Sequence, residues 1–180
     1  MVVSNCLYAG RFRLFHKGYL EVAKFILTES RSHLIIAVGA AQIPYCRDNP
    51  FTGKERARMI ESALKDESLQ SRTEVILIDE TNARYGNWAQ LMESLCPPFS
   101  LVYSHSELVR RLFKRAGYAT KPVPQFSAVE FPFTSITDKI INNKPWEDLV
   151  PRAAVEFMKK HKLDQRVRKL FSTGERATTV

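Results

Sequence analysis

Apolar runs of strand length alternate along the chain with amphipathic stretches of helical length, a pattern typical of a parallel sheet with crossover helices. We predict strands at residues 2–8, 33–38, 74–78 and 100–103. We predict helices at residues 18–28, 53–64, 88–95 and 107–116, with further helix beyond Thr134. Thr52 and Glu55 form a capping-box pattern at the start of the second helix. The pattern therefore predicts an α/β fold with about five parallel strands.

The segment 121–133 contains Pro122, Pro124 and Pro132, so we predict a surface loop there and not a central strand. No stretch of linker composition divides the chain. We therefore expect a single domain over residues 1–171, whose last part, about 134–171, is a helical annex. Residues 172–180 are expected to form a flexible C-terminal tail.

With 180 residues, 44% of them hydrophobic and 26% charged, the composition is that of one globular domain and excludes a disordered chain or a disulfide scaffold. No apolar run reaches the roughly 18 residues of a membrane helix, and no signal peptide is apparent. We therefore expect a cytoplasmic protein without a membrane partner. The three cysteines are far apart in sequence, so we expect reduced thiols and no metal held by the protein.

The loop between the first strand and the first helix, residues 9–19, carries the most informative chemistry. Ligands of doubly wound sheets bind at the carboxyl ends of strands, where a helix N-terminus attracts anions. Cationic and donor side chains cluster in this loop, and two glycines permit close approach of a ligand: Arg11, Arg13, His16 and Lys17, with Gly10 and Gly18. A phosphate site is one interpretation. Solvated basic residues around a capping or packing histidine are the other.

Residues 10–18, Gly-Arg-Phe-x-x-Phe-His-Lys-Gly, resemble the opening motif of the archaeal-type nicotinamide mononucleotide adenylyltransferases. These enzymes belong to the nucleotidyltransferase superfamily with a His-x-Gly-His signature. Further segments resemble that family in order, and the resemblance covers residues 8–167: 49–52 with 55–56, Trp88, 97–99 with 102–104, 112–114 with 116–118, and Trp146 with 149–151.

The resemblance implies a Rossmann-like nucleotidyltransferase fold and transfer of AMP from ATP to nicotinamide mononucleotide, giving NAD and pyrophosphate. It implies Mg²⁺ bound with ATP and a closed homo-oligomer. It also implies roles for individual residues: His16, Arg11 and Lys17 in catalysis, Gly10, Phe12, Gly18, Tyr19, Thr134 and Ser135 in binding ATP and phosphate, and Trp88 with Asn82 or Asn87 around the nicotinamide nucleotide.

Several positions depart from the family pattern. Tyr19 stands where the second signature histidine is expected, and Thr137 stands where a phosphate-binding arginine is expected. Arg13 is either a compensating cation or a solvated loop residue. The segment 79–87 before Trp88 is about two residues longer than in the family. His105 replaces an asparagine and is either a surface histidine or a new specificity contact.

These departures leave a second function open. The chain is either a working adenylyltransferase or a nucleotide-binding relative, which then uses another phosphate acceptor or serves as a sensor or scaffold. The segment from Arg152 to Arg176 supplies much of the net charge of +8. Clustered basic residues of this kind resemble the electrostatic footprint of a protein that binds nucleic acid. The apolar stripe of this segment also fits an amphipathic annex with a solvated basic face, so we do not expect a nucleic-acid partner.

Overall fold

Five parallel strands form one sheet in the computed structural model, which describes residues 5–79, 88–124, 126 and 133–172. The strands are β1 (Asn5–Gly10), β2 (Leu34–Val38), β3 (Thr73–Leu77), β4 (Phe99–Tyr103) and β5 (Ala119–Lys121). Their order across the sheet is β3-β2-β1-β4-β5, so β1 lies at the centre. Leu7 of β1 pairs with Ile35 of β2 on one side and with Val102 of β4 on the other. The predicted parallel α/β sheet is confirmed.

Helices cover both faces of this sheet. They are α1 (Lys17–Ser30), α2 (Gly53–Asp66), α3 (Trp88–Leu95), α4 (Glu107–Arg115), α5 (Phe133–Ile141), α6 (Arg152–Lys160) and α7 (Leu163–Ser172), with short 3-10 helices at Gln70–Arg72 and Glu147–Leu149. One hydrophobic core joins the sheet to α1, α2 and α5–α7. A second, smaller core joins the opposite face to α3 and α4. The side chains of successive strand residues alternate between the two cores, as the pleat requires.

The helix predicted at residues 88–95 is confirmed at both ends, and the other predicted helices differ only by a few terminal residues. The first strand runs further than predicted, because Ala9 and Gly10 pair with Ala37 and Val38 of β2. β5 was not predicted from the sequence. It is a three-residue edge strand that pairs only with β4 and is mostly exposed, so it has no apolar run to reveal it.

The start of α2 is fixed by the predicted capping box. The Thr52 hydroxyl accepts the backbone N–H of Glu55, and the Glu55 carboxylate accepts the N–H of Thr52. Gly53 lies so close to the preceding loop that an added Cβ would come within 2.6 Å of the Ala41 carbonyl oxygen. This contact fixes the loop after β2 against α2, at the carboxyl ends of the strands, where the candidate site lies.

Helices α5, α6 and α7 lie within the predicted helical annex and pack on the α1–α2 side of the sheet. α7 includes Ser172, and the rest of the predicted tail lies outside the described residues. Cys6, Cys46 and Cys96 are free thiols. Within the described ranges no helix is long and apolar enough to cross a bilayer.

Candidate active site

A pocket of about 620 Å³ opens at the carboxyl ends of the two central strands, β1 and β4. The chain order reverses between these strands, and such a reversal opens a ligand-binding crevice in doubly wound sheets. Its volume lies in the usual range for small-molecule sites. The walls come from the end of β1, the loop after β2, α1 and the segments around Trp88 and after β4: Tyr8, Ala9, Gly10, Arg11, Phe12, Tyr19, Gln42, Ile43, Trp88, Ser104, His105, Ser106, Leu108, Val109 and Leu112.

The backbone of the first loop is strained at Phe12, whose φ of 44° is rare for a bulky residue. Packing maintains this conformation, because the Phe12 ring lies edge-on to Tyr8 at 5.2 Å and to Tyr19 at 5.0 Å. The same ring fills the space beside Gly10, where a Cβ would come within 3.3 Å of it. The absence of a side chain at Gly10 therefore leaves room for the Phe12 ring, which lines the pocket.

His16 is the N-cap residue of α1 and is 4% exposed. Its ring stacks on the Tyr19 ring at 4.0 Å with an interplanar angle of 21°. Burial, and then the nearby His105, lower the pKa of His16 from 6.5 to about 4, so the imidazole is neutral at pH 7 in the free protein. Its Nδ1 is buried and has no hydrogen-bond partner among the described residues.

The first turn of α1 suits an anion. The His16 side chain makes no capping hydrogen bond, and this turn contains no acidic residue. The leading backbone amides and the positive end of the helix dipole therefore remain available to a ligand. Tyr19, one turn into the helix, stays a neutral phenol because burial raises its pKa.

Arg56 determines the shape of two loops at the site, a role that the sequence analysis missed. Its guanidinium, fully buried on α2, donates to the carbonyl oxygens of Arg11, Gly39 and Ala40. These carbonyls belong to the loops after β1 and β2. The available signal was the spacing of Arg56 relative to Met59, Ile60, Ala63 and Leu64, which places a charged residue on the apolar face of α2.

The other predicted site residues lie in several places. Trp88 lines the pocket at the start of α3, where it packs edge-on against Phe113 at 5.9 Å. Gly18 is buried in the first turn of α1. Lys17 lines a separate depression of about 490 Å³ beside α2 and α6. Asn82 and Asn87 lie outside the described residues.

Thr134 and Ser135 lie in the first turn of α5 and outside the described walls of the pocket. The Thr137 hydroxyl donates to the Phe133 carbonyl at 2.7 Å, so this threonine is bonded within its own helix. The Arg13 guanidinium carbon lies 5.7 Å from the centre of the Phe133 ring, and Arg13 opposes the rise in the pKa of Tyr19. Arg13 therefore links α1 to the start of α5.

The chemistry of the walls fits an anionic ligand better than a protein-bound metal. Where the structure describes the pocket, its walls carry Arg11 and His105 but no carboxylate. Nor do the described residues contain a group of three or more His, Cys, Asp or Glu side chains placed to hold a metal ion. A divalent ion at this site would therefore have to be bound mainly by ligand phosphates and water.

Comparisons with known proteins agree with this chemistry. Residues 7–180 match the family model described as cytidylyltransferase-like. Nicotinamide-nucleotide adenylyltransferases of Thermoplasma acidophilum and Saccharolobus solfataricus are 39% and 37% identical to this chain; the matches cover 94% and 96% of this chain and 93% and 100% of those enzymes. The enzyme of the same name from Pyrococcus horikoshii is 35% identical, with 94% and 90% covered.

A solved structure from Francisella tularensis shares the fold. It is a bifunctional NMN adenylyltransferase/ADP ribose pyrophosphatase in complex with AMP and a manganese ion, and it superposes with a TM-score of 0.71 at 19% identity over 93% of this chain. This chain spans about half of that protein, 52% of its length.

Proposed function

Because the chain belongs to the cytidylyltransferase-like family, and within it to the nicotinamide-nucleotide adenylyltransferases, we propose that its pocket joins the phosphate of nicotinamide mononucleotide to the AMP part of ATP. The products are NAD and pyrophosphate. The observation that carries the assignment of the site is the pocket between β1 and β4, whose walls include Arg11 and Tyr19 of α1 and no described carboxylate.

The reaction makes modest demands on the protein. A phosphate oxygen of nicotinamide mononucleotide attacks the α-phosphorus of ATP, and the bond from that phosphorus to the bridging oxygen of the β-phosphate breaks. Pyrophosphate leaves with the bonding electrons. The attacking phosphate is already an anion, so no general base is required. The protein has to align two nucleotides and stabilise negative charge on the phosphates.

We assign the phosphate contacts of this step to Arg11, His16, Tyr19 and the first amides of α1. Arg11 supplies a permanent charge, whereas the neutral His16 and Tyr19 each supply one hydrogen-bond donor. In the free pocket the proton of His16 is on one ring nitrogen only. An arriving phosphate favours the charged imidazolium, because an opposite charge nearby raises the pKa of a histidine.

The remaining assignments concern the nicotinamide ring and the triphosphate of ATP. Trp88, which lines the pocket, is assigned to stacking on the nicotinamide ring. Thr134 and Ser135 at the start of α5, with Arg13 beside them, are assigned to the triphosphate, and Lys17 to phosphate oxygens from the adjacent surface. Mg²⁺ bound with ATP would neutralise charge on the triphosphate. A closed homo-oligomer and a cytoplasmic location stay predictions, and light scattering on the purified protein tests the former.

The proposal is tested by titrating separate samples of the purified protein with nicotinamide mononucleotide, ATP and NAD in a calorimeter. A further sample that receives only nicotinamide mononucleotide, ATP and Mg²⁺ is then assayed for NAD and pyrophosphate. We expect binding of all three nucleotides and equal amounts of the two products. Binding without formation of NAD would contradict the proposal and would indicate another phosphate acceptor or a protein without turnover.

His16→Ala tests the assigned site. We expect turnover to fall about tenfold or more, since loss of one phosphate contact commonly costs that much. The far-ultraviolet circular dichroism should be unchanged. The matched control is His33→Ala, because His33 is exposed at the start of β2 and does not line the pocket. An unchanged rate in His16→Ala would show that this histidine has no part in the reaction.

A further inference from the structure

Three rings from three parts of the fold surround one corner of the pocket. Tyr8 at the end of β1, Tyr19 on α1 and His105 after β4 have ring centres 6.3–6.5 Å from one another. All three residues line the pocket. The Tyr8 hydroxyl is buried and has no hydrogen-bond partner among the described residues, so this corner contains a donor that only a ligand or water can satisfy.

Hydrogen bonds to the backbone around His105 hold this residue in the corner. The Arg110 guanidinium donates to the carbonyl oxygens of Ser104 and His105, at 2.6 and 3.0 Å. The N–H of Ser106 donates to the Ser104 hydroxyl oxygen at 3.1 Å, and Ser104 is itself buried. Ser106 is also the N-cap of α4. The loop after β4 is therefore a fixed support that presents one imidazole to the pocket.

The imidazole of His105 faces cationic and neutral groups from each neighbouring element. Arg110 comes from α4, Arg11 from the loop after β1, and the neutral His16 and Tyr19 from α1. Partial burial, and then the Arg110 guanidinium, lower the pKa of His105 in the free protein. Part of His105 stays exposed at the pocket, and its side chain makes no hydrogen bond that the structure describes.

We propose that His105 is a catalytic residue of the adenylyl transfer: its imidazole donates an N–H to phosphate oxygens of ATP at the corner bounded by Tyr8 and Tyr19. The inference rests on the proposed function and adds a contact from β4 to those assigned to the first loop. As the bond between the α- and β-phosphates breaks, negative charge grows on the departing pyrophosphate. An imidazole N–H at this corner stabilises that charge, where Tyr19 can offer only a neutral phenol.

The first test is kinetic. His105→Asn keeps a short polar side chain but removes the group that can gain a proton. We expect kcat to fall about tenfold or more at saturating ATP and nicotinamide mononucleotide, with a smaller change in the KM for nicotinamide mononucleotide. The control His33→Asn should leave both constants unchanged. A kcat of His105→Asn within twofold of the parent value would overturn the inference.

The second test does not depend on turnover. The chain has four histidines, so their ring C–H signals are resolvable by NMR and assignable with single His→Asn variants. Magnesium pyrophosphate is added as the probe and the ring signals are titrated with pH. We expect the pKa of His105 to rise, and the signals of His33 and His161, which do not line the pocket, serve as the controls.

The two tests separate this inference from the function on which it rests. Parent protein that makes NAD normally while pyrophosphate leaves the His105 signal unmoved would overturn the inference alone. Parent protein that makes no NAD refutes the proposed function, and the pyrophosphate titration then still decides whether His105 contacts phosphate. A shift in the His105 signal together with normal turnover of His105→Asn would also overturn it, since the contact would then be present but not catalytic.

Discussion

At the scale of single residues, the buried imidazole of His16 is the feature with the clearest energetic consequence. The folded protein holds this ring in its neutral form, with a pKa of about 4, whereas the unfolded chain binds the proton near pH 6.5. Unfolding therefore takes up a proton between these two pH values. By linkage, the free energy of unfolding falls as the pH drops through this range.

We predict that His16 alone lowers the free energy of unfolding by about 3 kcal/mol between pH 6.5 and pH 4. The measurement is urea denaturation from pH 4 to pH 7.5. Carboxylates whose pKa values are lowered by their partners, such as Glu147, contribute to the same trend at lower pH. The comparison with His16→Gln isolates the contribution of the histidine. In this variant the free energy of unfolding should fall less steeply between pH 6.5 and pH 4. Parallel profiles for the two proteins would contradict the lowered pKa.

The structure brings some of the predicted residues of the first loop together and separates others. Tyr19 and Arg11 line the pocket as the phosphate interpretation requires, and His16 stacks behind Tyr19. Lys17, its neighbour in the chain, lies in a different depression. The cause is helix geometry: successive residues of α1 point about 100° apart, so Lys17 and Tyr19, two positions apart, face nearly opposite sides of the helix.

At the scale of elements, α2 organises the site through one buried side chain. Arg56 donates to three carbonyl oxygens in loops that lie beyond the regular strand pairing, which ends at Gly10 and Val38. The Ala40 carbonyl also accepts the N–H of Ile43, at 3.4 Å. A buried carbonyl left without a donor costs about 1–3 kcal/mol. Arg56 therefore joins two loops to one helix and fixes the pocket wall between them.

Arg56→Met should lower the free energy of unfolding by at least about 3 kcal/mol and raise the KM for both nucleotides, because the loops after β1 and β2 lose their common donor. Urea denaturation and steady-state kinetics measure the two effects. The control is Arg58→Met on the same helix, whose exposed side chain pairs only with Glu61 and should change stability by less than about 0.5 kcal/mol. Equal effects of the two variants would refute this role.

At the scale of the whole molecule, the basic C-terminal helices pack onto α2 and the loop after β2. Arg166 on α7 makes a two-pronged ion pair with Glu55 and lies over the Tyr45 ring at 4.7 Å. Arg47 donates to the Leu170 carbonyl at 3.0 Å. The loop after β2, which brings Gln42 and Ile43 to the pocket, is thus held from the annex side as well.

Arg166→Met should lower the free energy of unfolding by about 1–3 kcal/mol, since it leaves the half-buried Glu55 without its charged partner. Burial alone would raise the pKa of Glu55, but the hydrogen bonds from Arg166 and Thr52 lower it. The decrease in the free energy of unfolding caused by Arg166→Met should therefore be smaller at acidic pH, where Glu55 is protonated. The control is Lys160→Met on the exposed side of α6. Equal denaturation midpoints for both variants would show that this pair contributes nothing.

The same contacts bear on the nucleic-acid alternative. Arg152 pairs with Asp66 and Glu156, Lys159 with Glu147, and Arg168 with Asp164, so much of the positive charge of the annex is compensated within the fold. A protein that binds nucleic acid presents such charges to phosphates instead. The absence of a nucleic-acid partner stays a prediction, which titration of a labelled RNA at low salt would test.

The sequence by itself determined the order of the helices and of the first four strands, and the capping box at Thr52; it also predicted a phosphate-binding loop between β1 and α1. These follow from local patterns: apolar periodicity, side-chain caps and the residue types after a strand. Only the tertiary structure decided that Tyr8, Tyr19 and His105 meet at one corner, that Arg56 joins two loops, and that β5 adds an edge strand. Each depends on groups distant in the chain, which local periodicity cannot place together, because the sheet order and the helix crossings set those distances.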